Sequence, residues 1–459
     1  MKFEAYPKYK PSGVDWLGDV PEHWEAKRLK SAATYWVSNV DKVSAEDEMP
    51  VRLCNYTDVY YHDHIRPSMG LMETTATPEE IRRFGLKVGD VVVTKDSEEW
   101  SDIAVPALVI ESAPDLVCGY HLAIVRPRDS VLLGRYLLRA FQACAVNQQF
   151  QVAATGVTRY GLPKSSIGEA WLPLPALAEQ RAIAGFLDRE TAKIDTLVSK
   201  KRTLIERLKE KRTALISRTV TRGLPPDAAR AAGLDPHPKL KPSGIDWLGD
   251  VPAHWNVLPF TKYVAEKSDY RGKTPEKTQD GVFLVTAKNV RMGYIDYESS
   301  QEYVAEDEYD DIMRRGLPRK GDILFTTEAP LGNVALVDRE DVALAQRIIR
   351  FRMKSAHFSD RFALYGMMSD HFQLQLQSLS TGSTAEGLKA SKLPILRLVA
   401  PPLHEQRAIA TFLDAATAQI DAMVTKVETA IERLQEYRMA LITAAVTGKI
   451  DVRREVNGG

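Results

Sequence analysis

The chain has 459 residues, of which 44% are hydrophobic, so it can bury more than one core, and about two to four domains is the expectation. Sixty-one Lys and Arg balance sixty-one Asp and Glu, so no net charge draws the whole molecule toward nucleic acid or an anionic surface. Three cysteines in no metal-like spacing, the lack of an apolar run near the ~18 residues of a bilayer span, and an opening MKFEAYPKYK without an apolar core argue against a disulfide scaffold, a membrane span and a secretory signal.

In chain order, residues 10–24 read KPSGVDWLGDVPEHW, and 241–255 repeat them as KPSGIDWLGDVPAHW, identical at thirteen of fifteen positions. Pro11 and Gly13 mark a turn, and the stretch before Pro21 is poorly suited to helix. Trp16, Leu17 and Trp24 carry more apolar area than so short a segment can bury, so it docks on its own domain or on a partner chain. A region of about 150 residues follows in each half (25–175 and 256–401), and here the halves are dissimilar. Two parallels survive. Gly89-Asp90-Val91-Val92-Val93-Thr94 matches Gly321-Asp322-Ile323-Leu324-Phe325-Thr326, a turn and then a buried strand. A Gly/Thr-rich loop at 155–162 matches one at 381–388, just before an apolar strand and a Pro-rich approach to a helix. Short β-branched runs with helical patches near 132–146 and 359–377 make two mixed α/β domains.

Residues 179–221 and 405–447 then form a second repeat, identical at 27 of 43 positions without a gap. Neither copy holds a proline. Apolar residues recur at helical spacing: Ile194, Leu197, Val198, Leu204, Ile205, Leu208 and Leu215 in the first copy, and Ile420, Met423, Val424, Val427, Ile431, Leu434 and Leu441 in the second. One seam runs every seven residues, a coiled-coil pattern that Lys201 interrupts. Each copy is therefore a helix of roughly 60 Å. The stretch 222–240, with four prolines, reads as a linker. A parallel pair of helices would need that linker to return their whole length nearly fully extended, so an antiparallel pair is expected, with the two domains at its opposite ends. Two similar scaffolds with dissimilar surfaces on a fixed ruler suit reading two different patches of one long ligand, of which duplex DNA is the natural candidate.

The WLGDVPEHW-type segment, the PxLxEQRAIAxFLD helix start, the IERLxExRxALI run and the VTGKID-type ending closely resemble the DNA-specificity subunit of type I restriction-modification systems. The resemblance covers the whole chain. It implies a mixed α/β protein with two target-recognition domains joined by two long antiparallel coiled-coil helices: 1–175 for the amino-terminal segment and first domain, 176–223 for the central helix, 224–240 for the linker, 241–401 for the second segment and domain, 402–450 for the final helix, and 451–459 as a tail. It also implies a bipartite, asymmetric double-stranded DNA target in a bacterial or archaeal cytoplasm. Two methyltransferase subunits and motor-nuclease subunits would be the partners. The chain itself would be non-catalytic and cofactor-free, with S-adenosylmethionine, ATP and Mg in the partner subunits.

The residues agree on chemistry. The chain has no G-x-x-x-x-G-K-[ST] loop and no Asn/Asp-Pro-Pro-aromatic run. His62-Asp63-His64 lacks a second ligand pair nearby, so no metal site is expected. For DNA contact, glycines permit close backbone approach, and Arg, Lys, Asn and hydroxyl side chains suit phosphates and base edges. The candidates are Thr158, Arg159, Tyr160 and Lys95 in the first domain, and Arg271, Lys273, Lys288, Asn289, Ser383 and Thr384 in the second. For the partner interface they are Trp16, Trp24, Trp247 and Trp255, for which anchoring inside the chain competes evenly. Two other readings stay open: a fused enzyme, which the missing motifs oppose, and a coiled-coil scaffold that never meets DNA.

Overall fold

The computed structural model describes residues 3–270, 274–380 and 387–456, in two compact units: one of residues up to Lys201 together with Glu428 onward, the other Arg202–Val427. In the first, a five-stranded sheet has the order Ala33–Val37, Leu122–Pro127, Val91–Thr94, Pro106–Val109, His64–Ile65, antiparallel except at its last pair. A three-stranded sheet sets Leu116–Cys118 parallel to Met49–Cys54, with Met72–Ala76 antiparallel on the other side. Alternation along the strands divides the apolar side chains between two cores. Val91, Val93, Ala123 and Val125 face one, and Val92, Leu122 and Ile124 face the other. A sheet covered on both faces needs continuous apolar strands, which is why 91–94 is buried throughout.

The second unit repeats this plan despite its different sequence. Its four-stranded sheet runs Val264–Asp269, Ile348–Met353, Ile323–Thr327, Leu331–Leu336, and Val282–Val285 lies between Val342–Leu344 (parallel) and Tyr303–Val304 (antiparallel). Ile323, Phe325, Ile349 and Phe351 face one core, and Leu324 and Ile348 the other. The Gly-Asp turns have a second role. Asp90 is buried and accepts from Arg126 and the Lys87 amide; Asp322 is buried and accepts from Arg350, Arg352 and the Arg319 amide.

The helical patches each prove to be two helices: Gly134–Gln142 and Cys144–Ala153 in one unit, Asp360–Met368 and Asp370–Leu379 in the other. The expected linker is partly helical, over Pro226–Ala231, because a proline in the first turn gives up no hydrogen bond.

The long helices run Leu177–Arg222 and Leu403–Val446, and 46 residues at 1.5 Å each make the first about 69 Å long. Within the first unit, Ile194 and Val198 pack with Leu441, Ile431 and Leu434, and Arg438 Nε donates to Asp195 Oδ1 at 3.0 Å. Within the second, Arg212 pairs with Asp421 at 3.0 Å. These two ion pairs are the same pair with the helices exchanged, 226 residues on, and they require the helices to run antiparallel. The seam is narrower than the sequence suggested. Leu197, Leu204 and Met423 are exposed, since of two adjacent apolar residues only one can face the partner helix, while Thr191 and Thr417 are buried in seam positions.

The EQRAIA start of each helix holds its unit together. Gln180 is buried; its Oε1 accepts from the Leu133 amide and its Nε2 donates to the carbonyls of Val131 and Pro175. Gln406 does the same with the Ser359 amide and the carbonyls of His357 and Pro401. Glu179 accepts from Tyr6 and bonds His23, and Glu405 bonds His254 and accepts from Trp255 Nε1. A short repeat is thereby fastened to the start of a long helix in each unit.

Candidate nucleic-acid interface

In the first unit the backbone brings Lys95 and the 155–162 loop together. The Lys95 amide donates to His121 O and its carbonyl accepts from the Leu162 amide, while Tyr160 and Gly161 pair antiparallel with Ser97 and Asp96. Thr155 and Gly161 exchange both backbone hydrogen bonds, closing a loop with Thr158 and Arg159 exposed between them. Gly156, at φ 138°, is required there: a Cβ would lie 2.0 Å from Arg159 O. Arg159 Nη2 lies 3.4 Å from His121 Nε2, and His121 Nδ1 bonds Asp96 Oδ2. The consistent tautomer has Nδ1–H donating to Asp96 and Nε2 accepting from Arg159. Lys95 Nζ reaches Asp96 Oδ1 at 2.9 Å. Burial opposes ionisation of Asp96, but the hydrogen bonds from His121 and Lys95 outweigh it and hold the carboxyl below its usual range.

The second unit builds the same frame from other side chains. The Thr327 amide donates to Arg347 O, the Thr327 carbonyl accepts from the Leu388 amide, and Glu328 bridges to Gly387. Arg347 Nε lies 3.0 Å from Glu328 Oε1, so Arg347 stands where His121 does and Glu328 where Asp96 does. Among the described residues, four non-glycine residues have positive φ: Ala104, His121, Ala329 and Arg347. All belong to these two frames. The Ala104 amide donates to Thr94 O beside Lys95, and Ala329 follows Glu328. The sequence reading missed Asp96, His121, Glu328 and Arg347. The available signals were two offsets: 226 residues, which aligns Tyr120-His121-Leu122 with Gln346-Arg347-Ile348, and the 232 residues between the Gly-Asp turns, which aligns Asp96 with Glu328.

Other candidates fare differently. Thr158, Arg159, Tyr160 and Lys95 form one cluster. Lys288 is exposed, but its neighbour Asn289 is buried, its Oδ1 accepting from Thr286 N and Oγ1 and its Nδ2 donating to the carbonyls of Asp296 and Ser300. That amide is committed to shaping a loop, so Asn289 is not a base reader. Arg271, Lys273, Ser383 and Thr384 lie outside the described residues. Trp16 and Trp247 are exposed, each beside a buried leucine (Leu17, Leu248), and Trp247 stacks on His371. Trp24 and Trp255 are buried and cannot offer a docking surface; the first closes over Gly448 and the second over Gly223, at the ends of long helices. His62 bonds Asp58 O, while Asp63 accepts from Arg139, Gln142 and Arg438, and among the described residues no group of three or more His, Cys, Asp or Glu is arranged to hold a metal. A cleft of about 1200 Å³ in the first unit is lined by His62, His64, Arg66 and Arg181, with none of the 158–160 cluster. Among the described residues no helix is long and apolar enough to cross a membrane.

Residues 266–433 match the family model described as the type I restriction modification DNA specificity domain. The chain is 23% identical over 440 residues to the type I restriction enzyme MjaVIII specificity subunit of Methanocaldococcus jannaschii, covering 95% of this chain and 94% of that one. It is 20% identical over 453 residues to the EcoKI specificity subunit of Escherichia coli K12, covering 94% and 90%. A solved structure described as the structural basis of complex assembly and conformational transition of the type I R-M system shares its fold, with a TM-score of 0.59 at 15% identity over 94% of this chain and 99% of that one. Over nearly its whole length the chain is thus similar to specificity subunits of type I restriction-modification systems, and its residues 266–433 match their DNA specificity domain.

Proposed function

We propose that this chain recognises a bipartite, asymmetric double-stranded DNA site and directs partner subunits to methylate or cut. The observation that carries the proposal is the duplicated frame. One backbone arrangement, Lys95–Asp96–His121 in one unit and Thr327–Glu328–Arg347 in the other, presents different side chains, as two readers of two unlike sequence blocks require. The contacting residues are Thr158, Arg159, Tyr160 and Lys95 in the first unit; Lys288 and the residues 271, 273, 383 and 384 are the candidates in the second. Two methyltransferase subunits dock through surfaces that include Trp16 and Trp247, and motor-nuclease subunits complete the complex. The chain contributes positioning and no chemistry; S-adenosylmethionine, ATP and Mg act in the partners, and the complex works in the cytoplasm.

The test is genome-wide modified-base sequencing with and without the gene, alongside its methyltransferase partner. The expected result is a gene-dependent motif of two unlike blocks separated by a fixed unread gap, with exchange of residues 25–175 changing one block alone. If no mark depends on the gene while the partner is expressed and folded, and the assembled complex shows no loss of DNA affinity as salt rises, the chain is a protein scaffold instead.

A further inference from the structure

We infer that His121 and Arg347 are equivalent specificity-determining residues, each reading a base edge in the block recognised by its own unit, with Asp96 and Glu328 as their positioning residues; the inference rests on the DNA-reading function proposed above. Three observations converge. First, the two positions are related by the internal repeat and hold the same backbone hydrogen bonds, the carbonyl of each accepting from the amide of Lys95 or Thr327. Second, each adopts a left-handed backbone, φ 67° at His121 and φ 79° at Arg347, which a bulky residue resists and glycine does not. The fold would be easier with glycine at both positions, so the side chains are kept at the expense of stability. Third, each side chain is braced by a carboxylate whose own backbone pairs with a glycine, Asp96 with Gly161 and Glu328 with Gly387.

The side chains suit the task and differ from each other as two unlike blocks require. The ion pair with Glu328 engages Nε of the half-exposed Arg347, and the two terminal nitrogens are the ones that contact guanine O6 and N7 in the major groove. His121, in the tautomer set by Asp96, holds Nε2 as an acceptor; when the exposed Arg159 turns from it to the DNA backbone, that lone pair suits an exocyclic amino donor of adenine or cytosine.

The test uses the full chain assembled with its methyltransferase partner, on duplexes that carry each single base change of the wild-type motif. Arg347→Gly keeps the backbone conformation, so the melting temperature should hold or rise. Methylation should lose its preference at one or two adjacent positions of one block, by roughly tenfold to a hundredfold for a lost bidentate contact. The other block should stay as sharp as in the wild type. His121→Gly should do the same in the opposite block. Uniform weakening on every duplex with all preferences retained would mark a phosphate contact and overturn the inference, as would an unchanged profile or equal loss in both blocks. If the wild-type complex shows no bipartite motif at all, the parent reading falls, and the specificity pair falls with it.

Discussion

Replacing Gln180 with alanine tests how the long helix is attached to the first unit. The side chain is buried and makes three hydrogen bonds of 2.9 Å, to the Leu133 amide at the start of helix Gly134–Gln142 and to the carbonyls of Val131 and Pro175. Each is worth about 1 kcal/mol net, and the backbone groups left behind have little water to turn to, so the loss should be about 3 kcal/mol. That corresponds to roughly 150-fold faster exchange for amides that open with this attachment. Hydrogen exchange read by mass spectrometry should show the increase in Gly134–Gln142 for Gln180→Ala, with Asp360–Met368 unchanged. Gln406→Ala should give the converse, because its bonds run to Ser359, His357 and Pro401. If both segments respond alike to either substitution, or neither responds, the two glutamines are not the local fasteners described here.

Three more perturbations follow from the same geometry. Asp322→Ala removes the close carboxylate facing the fully buried Arg350, leaving it only the 3.4 Å contact to the half-exposed Glu266, and should cost about 3 kcal/mol in a denaturant titration; a loss under 1 kcal/mol would mean that water or Glu266 takes over. Asp96, held below its ordinary 3.8, adds stability that is complete above that pH and is lost as pH falls through the lower folded value. The stability gap between wild type and Asp96→Asn should therefore be flat above about pH 5 and shrink below about pH 4; a gap that widens on acidification contradicts the assignment. Trp24→Ala and Trp255→Ala should each cost about 3–5 kcal/mol of stability. Trp16→Ala and Trp247→Ala should leave the melting temperature nearly unchanged while weakening co-purification of the methyltransferase, and normal co-purification would remove these two from the docking surface.

Repeats were the legible part of this chain because they need no physics beyond identity. The two helices followed from the repeat and heptad spacing, their antiparallel sense from the length of the linker between them, and the mixed α/β character from short β-branched runs beside helical patches. What stayed hidden depends on which of two similar residues turns inward. Trp16 and Trp24 read alike in sequence, yet one is exposed and the other is sealed over the end of a long helix. Leu197 and Val198 are equally apolar, and only Val198 meets the seam. Asn289 looked like a base reader because Asn can be one, but its amide is consumed by four bonds within its own loop. The strand-end frame was invisible for another reason. Its defining feature is a positive φ at His121 and Arg347, which side-chain identity does not announce when the residue is not glycine.

The polar groups in the seam bear directly on the proposed function. Arg438 and Arg212, each largely buried, place charge where an apolar residue would pack better, and their half-exposed partners Asp195 and Asp421 offset only part of that cost. In return they fix register. A slip of seven residues, the smallest that keeps apolar seam positions facing each other, moves one helix about 10 Å along the other and parts both pairs at once. A continuous apolar seam would tolerate such slips more easily. For a protein that reads two blocks across an unread gap, register is the quantity that sets the gap, and 10 Å is about three base pairs of duplex at 3.4 Å each. A shifted seam would therefore direct the complex to a different set of sites. On this argument the arginine–aspartate pairs are retained for accuracy of spacing more than for stability. Replacing Arg212 and Arg438 by Leu should hold or raise the melting temperature and blur the length of the gap in the methylated motif; a gap that stays fixed in that variant would show that something other than these pairs holds the register.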